Sequence, residues 1–385
     1  MMRALRAATV LLLALGLGAC RRPATAPPRD GGSAAVAGPP ARPVVTPPPF
    51  RPSSSPRIDV HTHVAPAGME HALAMLGSQH VVHFINLSGG APGKGLEEQL
   101  AAARATGGRV TTFTTPDLRE ARRPGYGPRL AGQLERARNL GARGVKISKG
   151  LGLSYVGPNG TLLAIDDPGL DPLFDKAGEL GLPVAIHSGD PQAFWLPPTP
   201  INERYEELVV HPGWSFYGQP VPSWQALFDQ FVRRVARHPK TLFIGVHFGN
   251  DPEDPDKVAE LLERYPNLYI DTAARIPEIG RHDAARMRAF FIRFQDRILF
   301  GTDAGFGERP EELMLGSTGA DPPTPAEITR FWDATWRYFE TDERQMEHPT
   351  PVQGRWRIDG IALPEGVLAK IYAGNARRLL GLPIP

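Results

Sequence analysis

Apolar residues recur along the chain in short runs, and four of these runs end on a histidine or an aspartate. They are Ile58-Asp59-Val60-His61-Thr62-His63, Pro183-Val184-Ala185-Ile186-His187, Phe243-Ile244-Gly245-Val246-His247 and Ile298-Leu299-Phe300-Gly301-Thr302-Asp303. Near-continuous apolar runs of this length are the pattern of parallel strands buried on both faces. Strands are expected at 57–61, 81–87, 110–114, 144–148, 183–187, 242–247, 268–272 and 298–302. Amphipathic helical spacing is found between them, at 97–106, 126–140, 171–180, 224–238, 256–265 and 283–294. Helix-ending punctuation stands before several strands: Gly141, Gly181-Leu182-Pro183 and Pro266-Asn267.

Strict alternation of strand and helix implies parallel strands joined by right-handed crossovers. A doubly wound open sheet is the competing architecture. Ligand-type residues at strands one, five, six and eight converge only if the sheet closes, so the expected fold is α/β, a (β/α)8 TIM barrel with long βα loops. One such loop, 191–223, carries Phe194, Trp195, Tyr205, Trp214, Phe216 and Tyr217 amid several prolines. It could cover the mouth of the barrel, with Trp195 and Trp214 against a substrate, or simply pack onto the barrel. A second excursion, 305–364, contains an aromatic helical stretch at 325–339. Its Trp332, Trp336 and Tyr338 read as core.

The 385 residues suffice for one large domain. Hydrophobic content of 41%, charged content of 22% and a net charge of +2 are those of an ordinary globular protein. No basic stripe with interleaved aromatics occurs, so nucleic acid is not an expected partner. The single cysteine, Cys20, excludes an internal disulfide.

The first residues have a different composition. Arg3 and Arg6 precede an apolar run from Ala7 to Leu17 that is too short to span a bilayer and reads as a signal peptide. Leu17-Gly18-Ala19-Cys20 resembles the bacterial lipobox, in which cleavage precedes the Cys and the Cys carries lipid. Ordinary secretion with cleavage after Ala19 is the alternative, and both export the protein. Residues 21–56 are Pro, Ala, Arg, Gly and Ser with almost no large apolar side chain, and are read as a disordered tether. The expected organisation is a lipoprotein signal peptide at 1–19, a lipid-anchored linker at 20–56 and a barrel domain at 57–385. The expected location is the periplasm or the outer membrane.

The chemistry is concentrated at the strand ends. His61 and His63, two apart on a strand, project to one side, about two rises of ~3.3 Å from each other, and can reach one ion at ~2.0–2.1 Å. His187 and His247 close adjacent strands and are each followed by a turn, in which Asp190 and Asn250 are candidate orienting residues. A carboxylate at Asp303, after so apolar a strand, is costly unless paired or metal-bound. Lys146 lies mid-strand between Val145 and Ile147 and points into the barrel, where it needs a partner. It could pair with Asp303 or a substrate carboxylate, or be carboxylated and bridge two metals. Arg275, just past strand seven, is either a clamp for a substrate carboxylate or half of a surface ion pair.

Taken together, His61-x-His63, His187, His247 and Asp303 resemble the amidohydrolase superfamily. The closer resemblance is to the amidohydrolase-related family that includes aminocarboxymuconate-semialdehyde decarboxylase. Asn375-Ala376-Arg377-Arg378 resembles that family's closing helix. The resemblance covers about 57–382 and implies that His61, His63, His187 and Asp303 hold one divalent ion, most often Zn²⁺, which lowers the pKa of a water towards ~7. It implies that His247 acts on that water or on a substrate carbonyl, and that Asp303 also serves as proton acceptor and donor. In relatives the strand-five and strand-six histidines divide these duties differently.

The function expected from this is metal-dependent hydrolysis of an amide, ester or lactone bond in a small molecule. Non-oxidative decarboxylation of a small unsaturated or aromatic acid uses the same residues and is the alternative. A non-catalytic binding lipoprotein is a third class, which a missing ligand would have favoured. Oligomeric state is not written in the sequence.

Overall fold

The closing segments of β1, β5, β6 and β8 decide where the site lies, and all four are well defined in the computed structural model, which describes residues 50–316 and 322–382. The signal peptide, Cys20 and the linker up to residue 49 lie outside the described residues. Pro52–Pro385 forms one compact unit.

Eight parallel strands follow one another as the apolar runs require: β1 (Arg57–Val64), β2 (Val81–Asn86), β3 (Val110–Thr112), β4 (Val145–Ile147), β5 (Val184–Ile186), β6 (Phe243–Gly245), β7 (Leu268–Asp271) and β8 (Ile298–Leu299). Ladders join β1 to β3 in one sheet and β4 to β8 in another. Backbone hydrogen bonds tie the two sheets edge to edge. Between β3 and β4, Thr114 N–H donates to Gly144 O at 2.9 Å and Lys146 N–H to Thr114 O at 2.8 Å. Between β8 and β1, Val60 N–H donates to Phe300 O and Asp303 N–H to His61 O, both at 2.9 Å. The sheet therefore closes, as convergence of the four runs demands, and the open-sheet alternative is excluded.

Helices occupy the expected crossovers, including Tyr126–Leu140, Trp224–Arg237 and Pro255–Arg264. Short polar side chains set their starts: Ser223 Oγ accepts from Ala226 N–H, Asp254 from Lys257 N–H and Asp283 from Arg286 N–H. Thr324 and Glu327 form a reciprocal capping box that opens Pro325–Glu340. That helix packs Trp336 on Phe300 and on the Arg57 guanidinium, 3.9 Å from the ring, so it covers the end of the barrel where β1 begins. Trp332, Trp336 and Tyr338 are all buried, as core residues should be.

The structure departs from the sequence expectation at several places. The 305–364 excursion holds two further strands, β9 (Ala304–Phe306) and β10 (Leu313–Leu315). β9 pairs in parallel with Thr62–Val64, so β1 leaves β8 after His61 and continues along β9. Three-residue strands of this kind have too little pattern to be read before their partners are known. The helix Met69–Ser78 was also unanticipated, although Met69, Ala72 and Leu76 carry helical spacing and are buried. β6 and β8 stop before their ligand-type residues, so His247 and Asp303 stand in turns beyond the strand ends.

A metal-type donor cluster at the barrel mouth

β1 carries His61 and His63 within its length. Asp59, fully buried beside them, fixes the crossing to β8: its Oδ1 accepts from the N–H groups of His61 (3.0 Å) and Thr302 (3.1 Å), and its Oδ2 from Thr302 Oγ1 (2.5 Å). Burial pushes the Asp59 carboxyl up to about 7 against the pull of these hydrogen bonds. Gly301 lies opposite, where a Cβ would stand 3.0 Å from His61 Cβ. The apolar run into Asp303 therefore needs a residue without a side chain at this point.

Past the strand ends the backbone enters the left-handed region at non-glycine residues. His247 has φ 53°, Phe248 58°, Asn250 64°, Ala274 55° and Asp303 67°. Such conformations are costly for ordinary side chains and persist where surrounding contacts over-determine them. Here the contact is Asp271, the last residue of β7. Its Oδ1 accepts from His247 N–H at 2.8 Å and from Ala273 N–H at 3.1 Å, while its Oδ2 faces His61 Nδ1 at 2.8 Å.

The result is a cluster. His61, His247 and Asp303 offer ligand atoms that all lie within 4.8 Å of one another. Asp303 Oδ1 is 3.2 Å from His61 Nε2 and 3.4 Å from His63 Nε2. Three histidines contact the protein through Nδ1: His61 with Asp271, His63 with Ser88 Oγ (2.8 Å) and His247 with Ala273 O (2.9 Å). With Nδ1–H donated, Nε2 is left as an acceptor, the tautomer a metal ligand requires. Two acceptor nitrogens facing one carboxylate oxygen suit a cation, so the donor set fits a divalent ion.

His187 lies on the rim of this group. Its ring centroid is 4.4 Å from that of His247, but its Nε2 faces Asp190 Oδ1 at 3.5 Å and has no hydrogen-bond partner. The tight grouping thus contains His247, expected to act on water, while His187, expected among the ligands, stands beside it. Burial holds His187 down at about 4 and, with Arg275, holds His247 well below the usual histidine range, so both rings are neutral at pH 7. Asp190 accepts from Lys149 Nζ at 2.7 Å; burial would raise its carboxyl, but Lys149 and His187 hold it well below the carboxylate range. Asn250 orients the same turn, accepting from Ser188 N–H at 2.9 Å.

Lys146 is buried in the barrel as its position requires, with Nζ 3.3 Å from His61 Nε2. Burial lowers its ammonium to about 8, partly offset by Asp303 and Asp271. Arg275 is buried, which excludes the surface ion pair; its Nη1 donates to Ala274 O at 3.0 Å and its Nε is 3.9 Å from Glu278. Trp195 and Trp214 pack mainly within their own loop. Trp195 Nε1 donates to Pro222 O and its ring meets Phe216 at 4.4 Å, while Trp214 stacks on His211 at 3.9 Å. Trp214 also lies 5.9 Å from Lys149 Nζ, which links the loop to the rim of the site.

Sequence reading missed Asp271 and Asp59 as functional residues. Asp271 carries the same signal as Asp303, a carboxylate closing an apolar strand, Leu268-Tyr269-Ile270-Asp271. Asp59 sits inside the first run and was passed over for its histidine neighbours.

A closed parallel barrel whose strand ends bring imidazoles and a carboxylate together defines a class of barrel proteins with a metal-type centre at the C-terminal mouth. The chain belongs to the amidohydrolase family, whose model matches residues 58–382. Among solved structures it is similar to 2,6-dihydroxybenzoate decarboxylase from Rhizobium, at 18% identity over 85% of this chain and 99% of that one, TM-score 0.49. It is similar to a probable 2-pyrone-4,6-dicarboxylic acid hydrolase from Acinetobacter baumannii with citric acid bound, at 13% identity over 85% and 99%, TM-score 0.44. It is also similar to an amidohydrolase from Burkholderia multivorans with bound zinc, at 14% identity over 86% and 100%, TM-score 0.47. No curated protein matches it in sequence.

Proposed function

We propose that this protein is a metal-dependent hydrolase acting on an amide, ester or lactone bond of a small molecule. The observation that carries this reading is the meeting of His61 Nε2, His63 Nε2 and the Asp303 carboxylate, with His247 beside them, on backbone held in place by Asp271. His61, His63 and Asp303, with His247 or His187 completing the set, would hold one divalent ion, with zinc the preferred candidate for imidazole and carboxylate donors. Such an ion supplies positive charge that polarises a substrate carbonyl and acidifies water.

The chain's own residues do the rest. Asp303, ionised at neutral pH because His61 and His63 outweigh its burial, accepts a proton from the attacking water and returns it to the leaving group. His247 or His187, whichever does not ligate the ion, is neutral and hydrogen-bonds the water or the carbonyl oxygen. Asp271 keeps the His61 proton on Nδ1 and fixes the direction of its Nε2. Lys146 and Arg275 add positive charge at the mouth, which favours substrates bearing a carboxylate.

That last feature also supports a second reading, non-oxidative decarboxylation of a small carboxylic acid, with Lys146 or Arg275 holding the departing carboxylate. A panel of lactones, esters, amides and unsaturated or aromatic acids, run on the metal-loaded protein, separates the two. Hydrolysis products without carbon dioxide support the first reading. Carbon dioxide release without hydrolysis replaces it with the second.

A further inference from the structure

Among the described residues nine large hydrophobic side chains are exposed, and five of them, Leu196, Ile201, Val209, Val210 and Tyr217, lie in one short part of the loop after β5. Ile201 is 96% exposed and the other four are each about half exposed. Single exposed apolar residues are ordinary; their concentration in one segment marks an interaction surface. The segment is built to keep them outside. On Tyr205–Val210, Glu207 and Leu208 face inward while Val209 and Val210 face out. Arg204 anchors the loop from below, bonded to Glu207 at 2.8 Å and to Glu278.

The composition of this surface narrows its partner. From 191 to 202 there is no charged residue, and from 208 to 228 the only ionisable group is His211. The polar aromatics Trp195, Trp214 and Tyr217 and six prolines fill these stretches. A surface with exposed aliphatics, Trp and Tyr and no ionic groups offers nothing to the charged rim of a typical protein interface. It matches the boundary of a bilayer, where such side chains partition. The sequence reading of Cys20 as a lipid-bearing residue supplies a bilayer. Residues 21–51 separate Cys20 from the compact unit. A chain of that length has an r.m.s. span of roughly 30 Å and a maximum of about 100 Å, against a domain radius of about 20 Å. Either end of the barrel is within reach of the membrane.

We propose that the exposed apolar segment between 196 and 217 docks on a lipid bilayer, so that the mouth of the barrel faces the membrane to which Cys20 tethers the chain. The proposal rests on the lipid-anchor reading and adds to it an orientation. Substrates would then enter from the membrane surface, which favours amphiphilic molecules.

The test uses the full lipidated chain with one environment-sensitive fluorophore on a cysteine introduced by Ile201→Cys, or by Val82→Cys as control. The chain is reconstituted on phosphatidylcholine vesicles and compared with detergent solution. Expected is a blue shift on vesicles at 201 and none at 82, insensitive to salt, and reversed by adding Val209→Asp and Val210→Asp. A chain that floats with vesicles but shows no shift at 201 overturns the docking while leaving the anchor intact. A chain that does not float, with mass spectrometry finding no lipid on Cys20, overturns both. A shift already present in detergent that fades on dilution assigns the surface to a second copy of the chain and overturns the proposal.

Discussion

His61 Nδ1 lies 2.8 Å from Asp271 Oδ2, although the two residues are 210 positions apart in sequence. The other Asp271 oxygen holds the His247 N–H, so one carboxylate sets the tautomer of the first histidine and the strained backbone of the second. Replacing it tests the whole centre. Asp271→Asn keeps the size but removes the charge and turns one oxygen into a donor. It should weaken divalent-ion affinity 10–100-fold, as loss of such a supporting partner does. Competition titration with a zinc chelator measures this, with circular dichroism confirming the fold. Unchanged affinity would show that Asp271 serves the backbone alone.

Metal content follows from the donor set. The full chain purified without added metal should carry about one divalent ion, and His63→Ala or Asp303→Ala should lose it, as elemental analysis will show. Chelation should abolish turnover and re-addition restore it. About two ions per chain, falling to one or none in Lys146→Met, would instead assign Lys146 to a carboxylated bridge. Its ammonium, lowered to about 8 by burial, leaves a larger neutral fraction for that chemistry than an exposed lysine has.

Arg204 links the aromatic loop to the barrel through two buried carboxylates, Glu207 and Glu278. Arg204→Ala leaves both without their shared cation and should destabilise the protein by about 3–5 kcal/mol. The urea midpoint reads this out. Adding Glu278→Gln to Arg204→Ala should recover part of the loss, because one of the stranded charges is then removed.

His348 reports on pH away from the site. Burial lowers it to about 4, offset only in part by its bond to Gly354 O at 2.9 Å. Between pH ~6.5 and 4 the unfolded chain binds a proton at this residue that the folded chain does not. Stability therefore falls as pH falls through this window, with a contribution of up to about 1.4 kcal/mol per pH unit. His348→Gln should flatten the slope by that amount relative to the parent. An identical slope in denaturation series at pH 6.5, 5.5 and 4.5 would place the His348 proton elsewhere.

Much of this was written in the chain itself. Apolar runs ending in His or Asp determine the strands, because a residue buried on both faces must be apolar and only the last positions can carry chemistry. The barrel, the inward Lys146 and the meeting of His61, His63 and Asp303 follow from that local pattern. Which partners these residues take was decided by tertiary structure. Asp271 and Asp59 act through contacts with residues remote in sequence, and no periodicity distinguishes them from other buried aspartates. The division between His187 and His247 depends on turns whose left-handed backbone is imposed by Asp271, and the burial of Arg275 depends on the helix and loop packed over it. Local patterning sets which face of a segment is apolar; the pairing of a few charged groups inside the closed barrel is a property of the packed whole.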